Sequence, residues 1–165
     1  MQRDKMLPDI QIRLAVEQDA AAITSLLRQS FLEYELLYTR GGFAATTPDA
    51  AQVLARMREG PIWLAYRDLD PLGTVAAVVK EKSIYIRGMA VLPAARGLKV
   101  GARLLQQVER WAFGQNFQRL FLTTTPFLHT AIRLYENHGF QRVDGVQDLF
   151  GTPLFTMEKI VPGKF

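Results

Sequence analysis

The sequence contains no cysteine. Disulfides, thiolate metal sites and a cysteine nucleophile are excluded at once, and the absence fits a reducing compartment, so a cytoplasmic location is expected. Histidine is almost as scarce. His129 and His138 are the only two, and without paired carboxylates nearby they make a poor metal site, so no metal is expected. No segment approaches ~18 uninterrupted apolar residues, and no membrane-spanning helix is expected. Residues 1–15 hold Arg3, Asp4, Lys5, Asp9 and Arg13 with no apolar run between them, so no secretory leader is expected. Linkers, repeats and low-complexity tracts are also lacking. Two glycine-rich nucleotide signatures are missing too: no glycine loop runs into Gly-Lys-Ser/Thr, and the G-x-G-x-x-G spacing does not occur.

What is present is ordinary globular composition, with 48% apolar and 22% charged residues. A chain of 165 residues suits one domain, 1–165, with one sizeable core. The formal charge of +4 comes from 20 basic against 16 acidic residues. The basic residues are dispersed and not interleaved with aromatics, so they read as a solvated surface, and no nucleic-acid partner is expected.

Periodicity supplies the elements. Residues 10–14 alternate as a half-buried strand, and residues 18–31 carry Ala22, Ile23, Leu26, Leu27 and Phe31 at helical spacing. Residues 33–38 either continue that helix or leave it, and Gly41-Gly42 end the segment. Thr47-Pro48-Asp49 reads as an N-cap with proline in the first turn of a second helix, running to Glu59 with Val53, Leu54 and Met57 inward. Strands follow at 62–66, 74–79 and 83–91, with turns at 68–72 and at Glu81-Lys82, which predicts an antiparallel meander. The 74–79 strand is nearly all apolar and should be covered on both faces. Gly88 stands alone inside the third strand and suggests a bulge. A helix opening near Leu98 presents Val100, Leu104, Leu105, Val108 and Trp111 on one face and ends near Gly114. The strand at 120–125, reached by a helical crossover, should lie parallel to 83–91. A helix from Leu128 to His138 puts Ala131, Ile132, Leu134 and Tyr135 on one side, with Gly139 closing it. Strands at 140–143 and 154–160 finish the chain, separated by Gly145 and Gly151. The order β-α-α-β-β-β-α-β-α-β-β predicts an α/β fold with one mixed sheet and helices on both faces.

The chemically informative stretch is 88–105. A strand ends at Pro93, a loop carries Arg96 and Gly97, and a helix opens with Lys99 and Gly101 close by. The first N–H groups of a helix lack intrahelical partners and sit at its positive dipole end. A phosphate or pyrophosphate suits such a place. The spacing taken alone fits a plain helix start equally well.

Met89 to Leu105 resembles motif A of the GNAT superfamily, the acyl-CoA-dependent N-acetyltransferases, whose Gln/Arg-x-x-Gly-x-Gly/Ala signature falls on Arg96, Lys99 and Gly101. Ala131 to Phe140, A-I-R-L-Y-E-N-H-G-F, resembles the family's second motif, and Phe155 to Lys159 resembles its terminal strand. The resemblance implies a GNAT-like fold whose central strands splay apart around acyl-CoA. It places the pantetheine arm on Met89, Ala90 and Val91. It places the pyrophosphate on the loop amides of Arg96, Gly97, Leu98, Lys99, Val100, Gly101 and Ala102. It makes Tyr135 the catalytic phenol, pointing at the CoA sulfur. The implied reaction is acetyl transfer from acetyl-CoA, as co-substrate, directly to a primary amine of a small molecule or a protein. Two departures stand out. Lys99 replaces the usual middle glycine of the loop, and Leu128 replaces an asparagine often found near the cofactor arm.

The amine needs a base or a water chain, because an ammonium of pKa ~10.4 is mostly charged at neutral pH. The family uses no single base, and Glu81, Glu33 and Glu35 are the carboxylates available. Tyr34, Glu35, Tyr38 and Arg87 are the candidates for acceptor contact. Acids there would suit a cationic acceptor; Arg87 would suit a carboxylate. Thr123, Thr124 and Thr125 could offer hydroxyls to the cleft, though β-propensity explains them as well. His129 could face the cleft or solvent. A non-catalytic acyl-CoA sensor of the same fold is the alternative function. A homodimer, with tail residues such as Phe165 contributing, follows only by analogy with the family.

Overall fold

The computed structural model describes residues 9–161; Arg3, Asp4, Lys5 and Phe165, invoked above, lie outside them. Seven strands form one mixed sheet in the order β1-β2-β3-β4-β5-β7-β6. They are β1 (Ile10–Leu14), β2 (Ile62–Arg67), β3 (Asp70–Lys80), β4 (Ser83–Val91), β5 (Arg119–Thr124), β6 (Gln141–Leu149) and β7 (Thr152–Ile160). Five α-helices accompany it: α1 (Ala20–Phe31), α2 (Arg40–Thr46), α3 (Ala50–Glu59), α4 (Val100–Gly114) and α5 (His129–Asn137).

The meander is as the short turns predict. β2, β3 and β4 pair antiparallel in sequence, and β4 pairs parallel with β5. The apolar run of β3 is buried from Leu72 to Val78 because both faces are covered. On one face, Ile23, Leu26 and Leu27 of α1 and Val53 of α3 meet Ile62, Leu64 and Ala76. On the other, Val100, Leu104, Leu105 and Val108 of α4 meet Val75, Ala77, Ile84, Ile86 and Leu120. Trp111 is half-buried and meets Trp63 edge-on at 5.7 Å between centroids.

Several expectations change. Gly41-Gly42 do not end a segment; they sit inside α2, which Thr39 caps by accepting the Gly42 N–H at 3.0 Å. The two glycines serve close approach. A Cβ on Gly42 would fall 2.3 Å from the Thr152 hydroxyl, and one on Gly41 2.8 Å from Phe150 Cβ. The fold therefore has three α-helices before β2, not two. The third is capped by Asp49 rather than Thr47: Asp49 Oδ1 accepts the Gln52 N–H at 2.8 Å, and Gln52 Oε1 returns the favour to the Asp49 N–H at 2.9 Å. Pro48 thus stands outside the helix. The expected turn at 68–72 contracts to Asp68-Leu69, so Asp70-Pro71-Leu72 belong to β3. Gly145 lies within β6, at a register break between Val143 and Val146, and the hairpin turn is at Phe150-Gly151.

Candidate functional site

β4 and β5 pair only over Ser83–Tyr85 against Arg119–Phe121. Beyond that point they diverge. The cause lies in β4: between Ala76↔Arg87 and Thr74↔Ala90 the β3 strand advances two residues while β4 advances three. The extra residue is a bulge at Gly88, whose φ of +61° is a left-handed conformation that glycine adopts without strain. The divergence opens a cleft of about 920 Å³ between the strands.

One end of the cleft is built by β4, the following loop and α4. Met89, Ala90, Val91, Arg96, Gly97, Lys99, Val100, Gly101 and Ala102 all line it. Leu98 does not; it is half-buried against the main core. The backbone ladder of α4 starts with the Arg103 N–H on the Lys99 carbonyl at 3.1 Å, which leaves the amides of the first turn outside the ladder. Gly97 has φ +85°, and a Cβ there would meet nothing within 4 Å, so open space lies over the loop. Gly101 serves a different purpose, since a Cβ would press on Leu134 Cδ2 of α5 at 2.8 Å. Lys99 is not inside the helix, as a start near Leu98 predicts. It is the residue before α4, at φ 62°, ψ 25°, the left-handed region where glycine is the unstrained choice. The family's usual glycine at this position is thereby explained, and its replacement retains the conformation. Arg96 is ion-paired with Glu33, from the 3-10 segment Leu32–Leu37.

Tyr135 stands on α5 with its side chain lining the cleft, 6% exposed, its ring 5.9 Å from that of Phe140. Burial pushes its phenol pKa well above the ordinary value, and nearby Tyr38 and Tyr85 add to the rise. The group is therefore neutral, a hydrogen-bond donor, throughout the physiological range.

The other end is aromatic and cationic. Tyr34, Tyr38 and Arg87 line it; Glu35 is exposed and does not. Tyr38 is buried against Phe127 edge-on at 4.8 Å, and burial pushes its pKa up to about 12. Arg87 pairs with Glu59 at 2.9 Å. Thr123, Thr124, Thr125 and Leu128 also line the cleft, while exposed His129 does not. His138 is half-buried and its Nδ1 lies 2.9 Å from the Leu134 carbonyl, a local helix-end contact. Glu81 sits at the β3–β4 turn with φ 54°, away from the cleft lining. Glu33 is not among the lining residues either; it is held by Arg96, which is.

Sequence reasoning missed Arg56 of α3, Lys80 and Tyr85 of the meander, and Gln147, Asp148, Leu149 and Leu154 of the β6–β7 hairpin, all of which line the cleft. Asp148 is the one carboxylate among the lining residues, and its Oδ2 accepts the Gly151 N–H at 2.9 Å. The hairpin reaches the cleft because β7 lies between β5 and β6, an order that the local sequence does not signal. Among the described residues no cluster of three or more His, Cys, Asp or Glu side chains could hold a metal.

Known proteins bear on this geometry. The family model described as acetyltransferase (GNAT) family matches residues 22–140. The uncharacterized N-acetyltransferase YjgM of Escherichia coli K12 is 30% identical over 134 residues, covering 77% of this chain and 79% of that protein. The PaiA N-acetyltransferase of Thermoplasma acidophilum, solved in complex with coenzyme A, superposes with a TM-score of 0.78 at 18% identity, over 92% of this chain and 99% of that one. The ribosomal-protein-S18-alanine N-acetyltransferase of E. coli gives 0.77 at 13% identity, over 94% and 96%. At these identities the two structures speak for the fold. No helix among the described residues is long and apolar enough to cross a membrane.

Proposed function

Because this chain belongs to the acetyltransferase (GNAT) family, we propose that its cleft binds acetyl-CoA along β4 and the α4 loop and passes the acetyl group directly to a primary amine. The observation that carries the reading is the splay of β4 from β5 beyond Tyr85 and Phe121. It leaves the β4 edge at Met89–Val91 free of β5 and sets the first-turn amides of α4 and the Tyr135 side chain around one cleft. The residues fit the co-substrate. An extended amide-bearing arm suits a free strand edge. A pyrophosphate suits unpaired helix amides with Arg96 and Lys99 beside them. On this reading residues 1–165 act as one catalytic domain.

Acetyl-CoA supplies an activated thioester. The amine nitrogen attacks the carbonyl carbon, the C–S bond breaks, and the sulfur leaves as a thiolate. Tyr135 holds a proton where that charge develops. A thiol titrates near ~8.5 and this phenol far higher, so complete proton transfer from Tyr135 is uphill. Its role is to donate a hydrogen bond that strengthens as the thiolate forms. Arg96 must exchange Glu33 for a phosphate oxygen when the co-substrate binds. The test is release of free thiol from acetyl-CoA across a panel of primary amines. Acetyl-CoA binding without release on any amine would favour a non-catalytic sensor and overturn the reading.

A further inference from the structure

The cleft wall beside the β4 bulge holds a positive charge to which the proposed acetyl-CoA contacts assign no role. Arg56, on the last turn of α3, lines the cleft together with Arg87, Gly88 and Lys80. Its Nη2 donates to the Ala45 carbonyl at 3.1 Å. Its Nη1 stands 3.7 Å from the point that a Gly88 Cβ would occupy. Among the described residues no carboxylate lies within ion-pair distance of Arg56; Glu59, the nearby acid, takes Arg87 instead. The nearby carboxylate is thus taken by Arg87, Lys80 adds to the positive excess, and the Arg87 Nε is buried with no acceptor. Burial and the Arg87 charge both work against the charged form of Arg56 and lower its pKa. A half-buried guanidinium is costly without a counter-ion, and among the described residues none forms an ion pair with Arg56.

We propose that Arg56 receives a carboxylate of the acceptor, which makes small amines bearing a carboxylate, free amino acids among them, the substrate class of this enzyme. The inference rests on the acetyltransferase reading and adds the identity of the acceptor to it. A guanidinium fork matches a carboxylate in size and direction and can bind it through two parallel hydrogen bonds. Tyr85 lines the same cleft as Arg56 and Tyr135, so a carboxylate held by Arg56 and the place of acyl transfer share one cavity. The same positive rim assists the chemistry. Like charge disfavours an ammonium, so the acceptor amine loses its proton more readily beside Arg56, Arg87 and Lys80. That contribution matters in a cleft whose single lining carboxylate, Asp148, is turned to a hairpin amide.

The experiment compares α-amino acids with the matching amines that lack the carboxylate, by thiol release at saturating acetyl-CoA. Calorimetric titration of the N-acetylated amino acids, as products, accompanies it. Wild-type protein is expected to favour the amino acid by about 10- to 100-fold in kcat/KM, the range of a charge-assisted hydrogen bond pair. Arg56→Gln is expected to bring that ratio close to one through KM and to abolish product binding. Arg56→Lys, which keeps the charge without the fork, is expected to retain part of both. Acetyl-CoA titrations of the same variants report whether the cleft is intact. A wild-type preference for carboxylate-free amines overturns the proposal, as does an Arg56→Gln loss shared equally by both members of each pair. Absence of acetyl-CoA turnover on every amine would instead sink the acetyltransferase reading itself.

Discussion

Tyr135 and Tyr38 are both buried phenols, yet their consequences differ. Tyr135→Phe removes the donor and keeps the ring against Phe140, so the fold should persist while turnover falls. We expect kcat to drop by about 10²- to 10³-fold with acetyl-CoA affinity nearly unchanged, the range for a lost hydrogen bond to developing charge, measured by thiol release and calorimetry. A drop confined to acetyl-CoA affinity would remove Tyr135 from the chemistry. Tyr38 writes its burial into stability. Its phenol titrates at 10.0 when unfolded and at about 12 when folded. Above the unfolded value the unfolded chain has released the proton and the folded chain has not, so stability falls with rising pH. The contribution is fully present below pH 10 and is lost as pH rises through about 12. The full loss is on the order of 3 kcal/mol, from about two units at 1.36 kcal/mol each. Urea unfolding at pH 8 and pH 11 should show a decline that is smaller in Tyr38→Phe. An equal decline in both proteins would assign it to other groups.

At the level of elements, β4 decides where the cleft is. Gly88 has φ +61°, and a Cβ there would find its nearest neighbours at 3.7 and 4.0 Å, ordinary contact distances. The cost of Gly88→Ala is thus conformational, about 1–2 kcal/mol for an L-residue in the left-handed region. We expect that loss in urea unfolding, together with weaker acetyl-CoA binding as the bulge relaxes. Unchanged stability and affinity would show that the bulge does not depend on glycine. Lys99 makes the complementary point one loop later: a lysine there holds φ 62°, so the strain is tolerated where its charge faces the cleft. α2 shows how local signals mislead. Gly41-Gly42 have the composition of a terminator, but in the fold they bring α2 against Thr152 and Phe150, residues more than a hundred positions away. α3 is read more nearly correctly, because Asp49 and Gln52 form a capping box within a single turn.

Over the whole molecule, an ion pair ties the loop before α4 to the segment after α1. Arg96 of that loop holds Glu33 of the 3-10 segment that carries Tyr34 and leads into Tyr38. On the proposed reading, co-substrate phosphate and Glu33 compete for the same guanidinium. Glu33→Gln should therefore tighten acetyl-CoA by about 2- to 5-fold, within the up to ~1 kcal/mol that exposed pairs contribute. Calorimetry measures it, and weaker binding would show that Glu33 positions Arg96 instead of withholding it. By itself the sequence determined the meander, the parallel crossover to β5, the bulge at Gly88 and the loop that leads into α4. Each of these rests on residues within one element or two consecutive ones, where periodicity and turn chemistry act. The rest of the cleft lining was decided only in three dimensions. Arg56, Lys80, Tyr85 and Asp148 come from α3, β3, β4 and β6, and their meeting depends on β7 inserting between β5 and β6 and on α3 covering the sheet. Local pattern cannot carry that information, because a lone arginine on a helix reads as solvated surface until the fold puts a cleft beside it and leaves its nearest carboxylate to Arg87.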